Sequence, residues 1–326
     1  MRSEESKPEA PPSPLGGMST SPTPGLGTDK NVCPTNHQSA SLTSKGKSRR
    51  KLWTALRILV VVWLAWCAAG CPGSLVLPAN HDVIKHDDGA RQEVLVVNKK
   101  RVIDCWVARS PGAKSAEPQA YVLFFVGKGD RADRWISAVA GAWGEKPVEV
   151  WGMNYPGSGE STDGTPRLKT AAEEALFVFD HVNALAKGKP VFIHAWSFGT
   201  AMGLCVSARR PVSGMVLQNP PPLKQLILGR YGWWNLWLIA GPLALQIPEE
   251  LDSVENARKT AARAVFILAG RDSLVPAEYQ KKVVEAYSGE KRVVSMPGAG
   301  HDSPLTKEGA EEFEKDLEWL WSTARK

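Results

Sequence analysis

The chain has 326 residues, and its hydrophobic fraction of 43% and charged fraction of 23% are typical of a globular protein with a sizeable core. Its formal net charge of +6 belongs almost entirely to the first 57 residues, which hold nine Lys and Arg against four Asp and Glu. The remainder is close to neutral, so nothing in the charge balance argues for nucleic acid binding by the folded part.

Residues 1–51 are rich in Ser, Pro, Thr and Gly and end in a basic cluster, 45–51. Such a composition buries too little apolar surface to fold, so we expect a disordered basic N-terminal segment. Met18 is an alternative start of translation.

Residues 52–71 form an apolar run that Arg57 interrupts. From Ile58 the run is about fourteen residues long, short of the roughly twenty that a membrane span needs, and it follows basic residues as the core of a signal peptide does. Small residues before Cys71 resemble a bacterial lipoprotein processing site, which makes Cys71 a candidate for lipidation. The alternative is an uncleaved anchor from Leu52. Both interpretations predict membrane attachment through this segment and export of the remainder, in a bacterium to the periplasm or cell surface.

Residues 72–91 are interpreted as a linker, and residues 92–326 as one α/β domain. Alternation and apolar runs predict its elements. The predicted strands are 92–97 and 101–107, which form a hairpin, and 121–126, 148–154, 191–196, 214–218, 264–269 and 292–295. A helix follows the strand 121–126, with Trp135, Ile136 and Val139 inward, and the last helix is 306–324. The helix 170–186 is opened by a Thr170/Glu173 capping box, and its inward residues are Ala172, Leu176, Phe179, Val182 and Leu185.

The stretch 191–203 reads as a short apolar strand, a tight turn with Ser197 at its apex, and a helix opened by small residues. This is the layout of a nucleophile elbow, with Ala195 in place of the first Gly of G-x-S-x-G. Gly199 would let the strand and the helix approach closely. Taken alone, the pattern fits a serine at a helix N-cap equally well.

An acid and a histidine follow the serine in the chain. Asp272 comes after the apolar run 264–269, and His301 lies on a Gly-rich loop after the next strand. A serine needs a base to take its proton, and the base needs an acid to orient it. His194 lies inside a strand and is interpreted as a core residue, and His181 lies on a helix and is interpreted as solvated. The other three, His37, His81 and His86, precede the predicted domain, so His301 is the remaining candidate base.

Together these features resemble the α/β-hydrolase superfamily of serine hydrolases, in its membrane-anchored or exported branch with a short helical cap. The resemblance covers 94–326 and rests on the elbow and five further stretches: 124–129, 154–161, 251–256, 270–272 and 300–301. It implies a mostly parallel sheet with helices on both faces, and Ser197, His301 and Asp272 as nucleophile, base and acid. It also implies an oxyanion hole made of the backbone N–H groups of Lys128 and Phe198. The family often has His-Gly where this chain has Val126-Gly127.

Residues 222–250 lie where these hydrolases insert a cap and are rich in Trp, Leu and Ile. They are interpreted either as an apolar lid over an acyl-binding pocket or as a helix pair packed on the core. The apolar lid favours a small-molecule or lipid ester as substrate. Peptide or amide hydrolysis, and a catalytically silent surface-anchored binding protein, are the alternatives. No cofactor or metal is implied, and Cys105 and Cys205 are interpreted as buried apolar residues.

Overall fold

The computed structural model describes residues 41–68, 76–86, 89–162, 168–233 and 237–325. The chain divides between Ile58 and Leu59 into two compact units, and the second contains the sheet. The candidate lipidation site Cys71 and the predicted disordered segment up to residue 40 lie outside the described residues.

The first helix, α1, spans Ser41–Ala68. Residues 41–51 are therefore helical, and the prediction of disorder is wrong for them. Lys and Arg have good helix propensity, and a helix that has formed over an apolar run extends through them at little cost. Within the described residues, no helix combines the length and the apolarity that crossing a membrane requires.

Eight strands form one sheet in the described part of the chain, in the order β1-β2-β4-β3-β5-β6-β7-β8. The strands are β1 Ala90–Asn98, β2 Arg101–Arg109, β3 Ala120–Phe125, β4 Val148–Met153, β5 Val191–Trp196, β6 Gly214–Gln218, β7 Arg263–Ala269 and β8 Lys291–Met296. β2 pairs antiparallel with β1 and β4, and every other pairing is parallel. The predicted strands are confirmed, each to within two residues at either end.

Eight helices follow α1 in the described residues: α2 Ala132–Ala142, α3 Leu168–Ala186, α4 Phe198–Ser207, α5 Leu223–Tyr231, α6 Ala240–Leu245, α7 Ser253–Lys259, α8 Ala277–Ala286 and α9 Lys307–Trp321. Helices cover both faces of the sheet, because successive side chains of a strand point to opposite faces. On one face Phe192 of β5 packs between Trp143, which follows α2, and Trp321 of α9. On the other, Ile193 approaches Gly203 of α4. The expected mostly parallel sheet between two helical layers is confirmed.

Three details of the predicted helices are wrong. Trp135 is 37% exposed and Leu185 is 40% exposed, although both were expected to point inward. The indole N–H of Trp135 donates to Asp130 Oδ2 over 2.5 Å, and its ring packs nearly perpendicular to that of Trp196. Helix α3 begins at Leu168, so Thr170 lies inside the helix, where it cannot cap the N-terminus.

The described part of the predicted linker 72–91 is packed against the domain. Val76 and Leu77 are buried in the hydrophobic core. The Asn80 side chain donates to the Gly129 carbonyl, and the Arg131 side chain donates to the Asp82 carbonyl. The segment therefore belongs to the folded domain, because its apolar residues are buried and its polar groups are bonded.

The region predicted as a cap contains the two short helices α5 and α6. Leu223, Ile227, Ala240 and Ala244 are buried against the rest of the second unit. Among the described residues of this region, the large apolar side chains that stay exposed are Leu228, Tyr231, Trp233, Trp237, Leu238, Ile239 and Leu245. Part of the apolar surface of the cap is therefore packed on the domain, as the helix-pair interpretation expects, and part is exposed.

Candidate active site

Ser197 lies on the sharp turn between β5 and α4. Its backbone has φ 49° and ψ −122°, an uncommon conformation for a residue with a side chain. The turn is fixed from two sides, since Ser197 N–H donates to Gln218 O over 2.8 Å and Gly199 lies directly against β3. A Cβ atom on Gly199 would come within 2.2 Å of Phe125 O, so this position requires glycine. The local structure is a nucleophile elbow.

Ser197, His301 and Asp272 form a continuous chain of hydrogen bonds. His301 Nε2 lies 2.9 Å from Ser197 Oγ, and His301 Nδ1 lies 2.6 Å from Asp272 Oδ2. The acid is 5% exposed, and the histidine and the serine are half-buried. The structure therefore brings together the three residues that the sequence placed far apart in the chain.

Asp272 is held by donors on both of its oxygens. Oδ1 accepts the backbone N–H groups of Leu274 and Val275, each over 2.8 Å. Oδ2 accepts from His301, and Gln280 Nε2 lies 3.3 Å from the same oxygen. Gln280 is fully buried, and its side chain also donates to Val275 O over 2.7 Å. These contacts fix the carboxylate in one orientation toward the imidazole.

The surroundings of His301 act on its pKa in opposite directions. Burial lowers the pKa, because it disfavours the charged imidazolium. The hydrogen bond that the ring donates to Asp272, the charge of Asp272 and the charge of Asp302 all raise the pKa, and together they outweigh burial. The pKa of His301 therefore lies above the ordinary value for histidine, and the imidazolium that forms when the ring accepts a proton is stabilised.

The residues assigned to the oxyanion hole flank the nucleophile. Phe198 opens α4 directly after Ser197, and Lys128 follows Gly127, where an added Cβ would lie 3.7 Å from Ser197 Cβ. Within the described ranges, neither the Lys128 N–H nor the Phe198 N–H has a hydrogen-bond acceptor. Two free donors beside the serine are what binding of a carbonyl oxygen requires.

Two polar residues of the site were missed by the sequence analysis. Asn219 follows β6 at φ 50° and joins two loops: its Nδ2 donates to His301 O over 2.9 Å, and its Oδ1 accepts from Ala269 N–H over 3.0 Å. Tyr155, fully buried, donates its hydroxyl to Val126 O over 2.8 Å. The sequence offers one weak signal, which is that Asn tolerates the left-handed conformation at the end of a strand.

The other residues that the sequence analysis considered lie elsewhere. His194 is buried between aromatic rings, and burial lowers its pKa to about 3, so it is a neutral core residue as predicted. Asp252 caps α7 by accepting from Glu255 N–H. Cys105 and Cys205 are buried free thiols. Among the described residues, no group of three or more His, Cys, Asp or Glu could hold a metal ion.

A groove of about 500 Å³ lies between α5, α7 and α8, away from the hydrogen-bonded serine, histidine and acid. Its walls include Gln225, Arg258, Lys282 and Glu285. Because none of the residues of the candidate active site lines it, we assign it no part in the chemistry.

No known family profile matches the sequence. An uncharacterized protein of Mycobacterium tuberculosis is 26% identical over 255 residues, which cover 77% of this chain and 83% of that protein. A multifunctional-autoprocessing repeats-in-toxin of Vibrio vulnificus is 27% identical over 174 residues, which cover 51% of this chain and 3% of the toxin.

Solved structures similar to this chain include esterases and peptidases. A Pyrococcus furiosus esterase superposes with a TM-score of 0.59 at 11% identity, over 77% of this chain and 98% of the esterase. A Butyrivibrio proteoclasticus protein with bound ferulic acid has a TM-score of 0.58 at 14% identity, over 72% of this chain and 100% of that protein. A Pyrococcus horikoshii acylaminoacyl peptidase has a TM-score of 0.54 at 14% identity, over 73% of this chain and 42% of the peptidase. Together with the strand order and the elbow, these similarities show that the chain has the α/β-hydrolase fold.

Proposed function

We propose that this protein is a serine hydrolase that cleaves a carboxylic ester or a lipid acyl ester through an acyl-enzyme. The observation that carries the proposal is the hydrogen-bond chain from Asp272 through His301 to Ser197, with the serine on a strained elbow. A serine at a plain helix N-cap would need neither the strain nor the aligned base.

The reaction follows from this geometry. His301 Nε2 takes the proton of Ser197 Oγ as Oγ bonds to the ester carbonyl carbon, and Asp272 stabilises the imidazolium. The carbonyl oxygen becomes an oxyanion and accepts hydrogen bonds from the N–H groups of Lys128 and Phe198. The C–O bond to the alcohol then breaks, and His301 gives its proton to the departing oxygen. A water molecule repeats the steps on the acyl-enzyme, which releases the acid and restores the serine.

The exposed apolar surface of the cap supports an ester with an apolar acyl group as substrate. Trp233 and Leu245 are 67% and 87% exposed, and residues 223–248 contain no Asp or Glu. Apolar side chains with few charges bind acyl chains better than they bind peptides. The solved structures similar to this chain include peptidases as well as esterases, so amide hydrolysis is the second candidate.

We further propose that the N-terminal segment attaches the chain to the membrane and that the catalytic domain is exported. The basic cluster, the apolar run and the small residues before Cys71 support this, because they stand in the order that export signals require. An attached enzyme would meet lipid esters at the bilayer surface.

The central test replaces the nucleophile. Ser197→Ala should abolish both labelling by a fluorophosphonate probe and ester hydrolysis, because no other described group is placed to attack the carbonyl. The melting temperature should stay close to that of the wild type, since the serine side chain is half-buried and the backbone of the turn is retained.

Ser295→Ala is the matched control, because Ser295 is an exposed serine of β8 outside the site. This variant should keep full labelling and turnover. A wild-type chain without labelling or turnover would instead support a binding protein that retains the fold without activity. Comparison of ester with aminopeptide substrates on the wild type separates the esterase from the amidase.

A further inference from the structure

The segment 76–82 precedes β1 and packs beside two loops of the candidate active site. Every polar group of Asn80 is bonded there. Its Nδ2 donates to Gly129 O over 2.8 Å, and its N–H donates to Ser158 Oγ over 3.0 Å. Its carbonyl accepts from Gly159 N–H over 3.1 Å, and its Oδ1 accepts from Asp82 N–H over 2.9 Å. Asn80 therefore joins the loop after β3 to the loop after β4.

The loop after β3 is a tight turn. Asp130 N–H lies 3.4 Å from Gly127 O, and Gly129 has φ +71°, the value that a type II turn places at its third residue. One side of this turn faces the nucleophile, since a Cβ on Gly127 would lie 3.7 Å from Ser197 Cβ. Lys128, whose N–H is assigned to the oxyanion hole, is the second residue of the turn.

Asn80 contacts the same turn at its third residue, Gly129. The Gly129 carbonyl accepts from its Nδ2, and a Cβ on Gly129 would come within 3.2 Å of Pro78 Cγ. The Gly129–Asp130 peptide is thus held at both ends, by Asn80 at its oxygen and by Gly127 at its nitrogen. The Asp130 carboxylate, which accepts from Trp135 Nε1 and from Arg131 N–H, fixes the far end of the turn. Without the Asn80 bond, the Gly129 carbonyl would lose its side-chain donor, and only the 3.4 Å bond from Asp130 N–H to Gly127 O would close the turn beside Lys128.

The support behind Asn80 is itself rigid. Asp104, which is fully buried, accepts from Asn154 Nδ2 over 2.8 Å and from Glu160 N–H over 3.1 Å. A Cβ on Gly159 would lie 2.3 Å from Asp104 Oδ2, so the loop that binds the Asn80 backbone is packed directly onto this carboxylate. A buried and fully bonded network of this kind has little freedom to shift.

We propose that Asn80 is a positioning residue for the oxyanion hole. It holds the 127–130 turn so that the Lys128 N–H points to where the substrate carbonyl oxygen becomes charged. The inference rests on the proposed serine hydrolase function and assigns a role in it to a segment outside the region that resembles the hydrolases. Asn80 touches no reacting atom and acts only through the turn.

The test measures turnover per active site in the full-length chain. Asn80→Ala removes the bond to Gly129 O, and Asn80→Asp keeps the acceptor for Asp82 N–H but loses the donor. Asn98→Ala is the matched control, because Asn98 Oδ1 makes the same kind of local bond to Lys100 N–H in the β1–β2 hairpin. End-point fluorophosphonate titration counts the folded sites, so that loss of folded protein is not mistaken for loss of rate.

We expect kcat per titrated site to fall about tenfold or more in both Asn80 variants, which is less than the roughly 10²–10³-fold that loss of a whole oxyanion donor causes. KM should change little, because the oxyanion hole serves acylation and deacylation alike. Asn98→Ala should match the wild type.

A purely structural role of Asn80 would lower the melting temperature or the number of titrated sites while kcat per site stayed at the wild-type value, and that result overturns the inference. Wild-type rates in Asn80→Asp would overturn it as well. A wild-type chain that takes up no probe overturns the proposed function and this inference with it, whereas a labelled wild type with unchanged Asn80 variants overturns the inference alone.

Discussion

At the scale of single residues, the charges around His301 affect the pH at which the proposed reaction would run. The base must be neutral to accept the serine proton, yet Asp272 and Asp302 both favour the charged ring. The raised pKa also links the site to stability. Protonated His301 stabilises the fold below about pH 6.5, the ordinary histidine value, and this contribution is lost as the pH rises through the higher pKa of the folded state.

The first prediction concerns Asp302. The acidic limb of kcat/KM against pH reports the pKa of the base in the free enzyme, so activity should rise with pH through a value above 6.5. Asp302→Asn removes one of the charges that raise this pKa, and its acidic limb should therefore shift to lower pH with little loss of maximal rate. Glu312→Gln, an exposed acid on α9, is the control for a change of net charge and should leave the profile in place. A limb that does not move in Asp302→Asn would remove Asp302 from the electrostatics of the site.

The nucleophile, base and acid could be proposed from the sequence because each lies on a short motif whose order in the chain is distinctive. Asn219, Gln280 and Asn80 could not. Their roles depend on which loops the sheet brings side by side. Asn219, for example, bonds to Ala269, which is 50 positions further along the chain. A single polar residue in a loop carries no local signal of that partner.

At the scale of elements, the turn between β5 and α4 is tightly constrained. The helix approaches β3 so closely that Gly199 has no room for a side chain, and Ser197 beside it has a positive φ. The predicted elbow was readable because strand, turn and helix each have a local pattern. The strands were readable for the same reason, as buried apolar runs between turn residues.

The second prediction tests this close approach. Gly199→Ala would place a methyl group 2.2 Å from Phe125 O, a backbone atom that cannot move without disturbing β3. We expect a loss of about 1–3 kcal/mol in the free energy of unfolding and a loss of activity as the elbow shifts. Gly141→Ala is the matched control, because a Cβ there meets nothing within 4 Å and alanine favours the α2 helix by up to about 1 kcal/mol. Equal stability of the two variants in chemical denaturation would contradict the assigned packing.

Helix details were less predictable than strands. Trp135 and Leu185 each continue the apolar stripe of their own helix, α2 and α3. Each stripe is wider than the helix surface that the sheet covers, so these two side chains at its edge stay exposed. The start of α3 was misplaced because Thr170 and Glu173 imitate a capping box inside a helix that begins earlier. The extension of α1 upstream of Leu52 shows the same limit, since basic residues suit a helix as well as a disordered segment.

At the scale of the whole molecule, the strand order could be expected only through the resemblance to the hydrolases, because periodicity does not specify which strands are neighbours. The packing of residues 76–82 beside the 127–130 turn had no signal in the sequence either. Only eight residues separate Cys71 from Asn80 in the chain. If Cys71 is lipidated, as we propose, the point of attachment is therefore close in sequence to the segment that contacts this turn.

The third prediction tests that attachment. If Cys71 is lipidated, Cys71→Ser should leave a larger precursor that takes up no labelled fatty acid, because the thiol is the acceptor of the acyl chains. Cys67→Ser is the matched control, since Cys67 lies in the same apolar run but is not preceded by the small residues of a processing site, and it should be processed and labelled normally. Mass spectrometry of the mature N-terminus is the decisive measurement. An N-terminus upstream of Cys71 would overturn lipidation in favour of the uncleaved anchor, and recovery of the domain in the cytoplasmic fraction would overturn export itself.

Because the Asp272–His301–Ser197 hydrogen bonds form within the folded domain, neither result would alter turnover of a soluble ester by the purified protein. Only turnover of esters carried in vesicles should depend on the anchor.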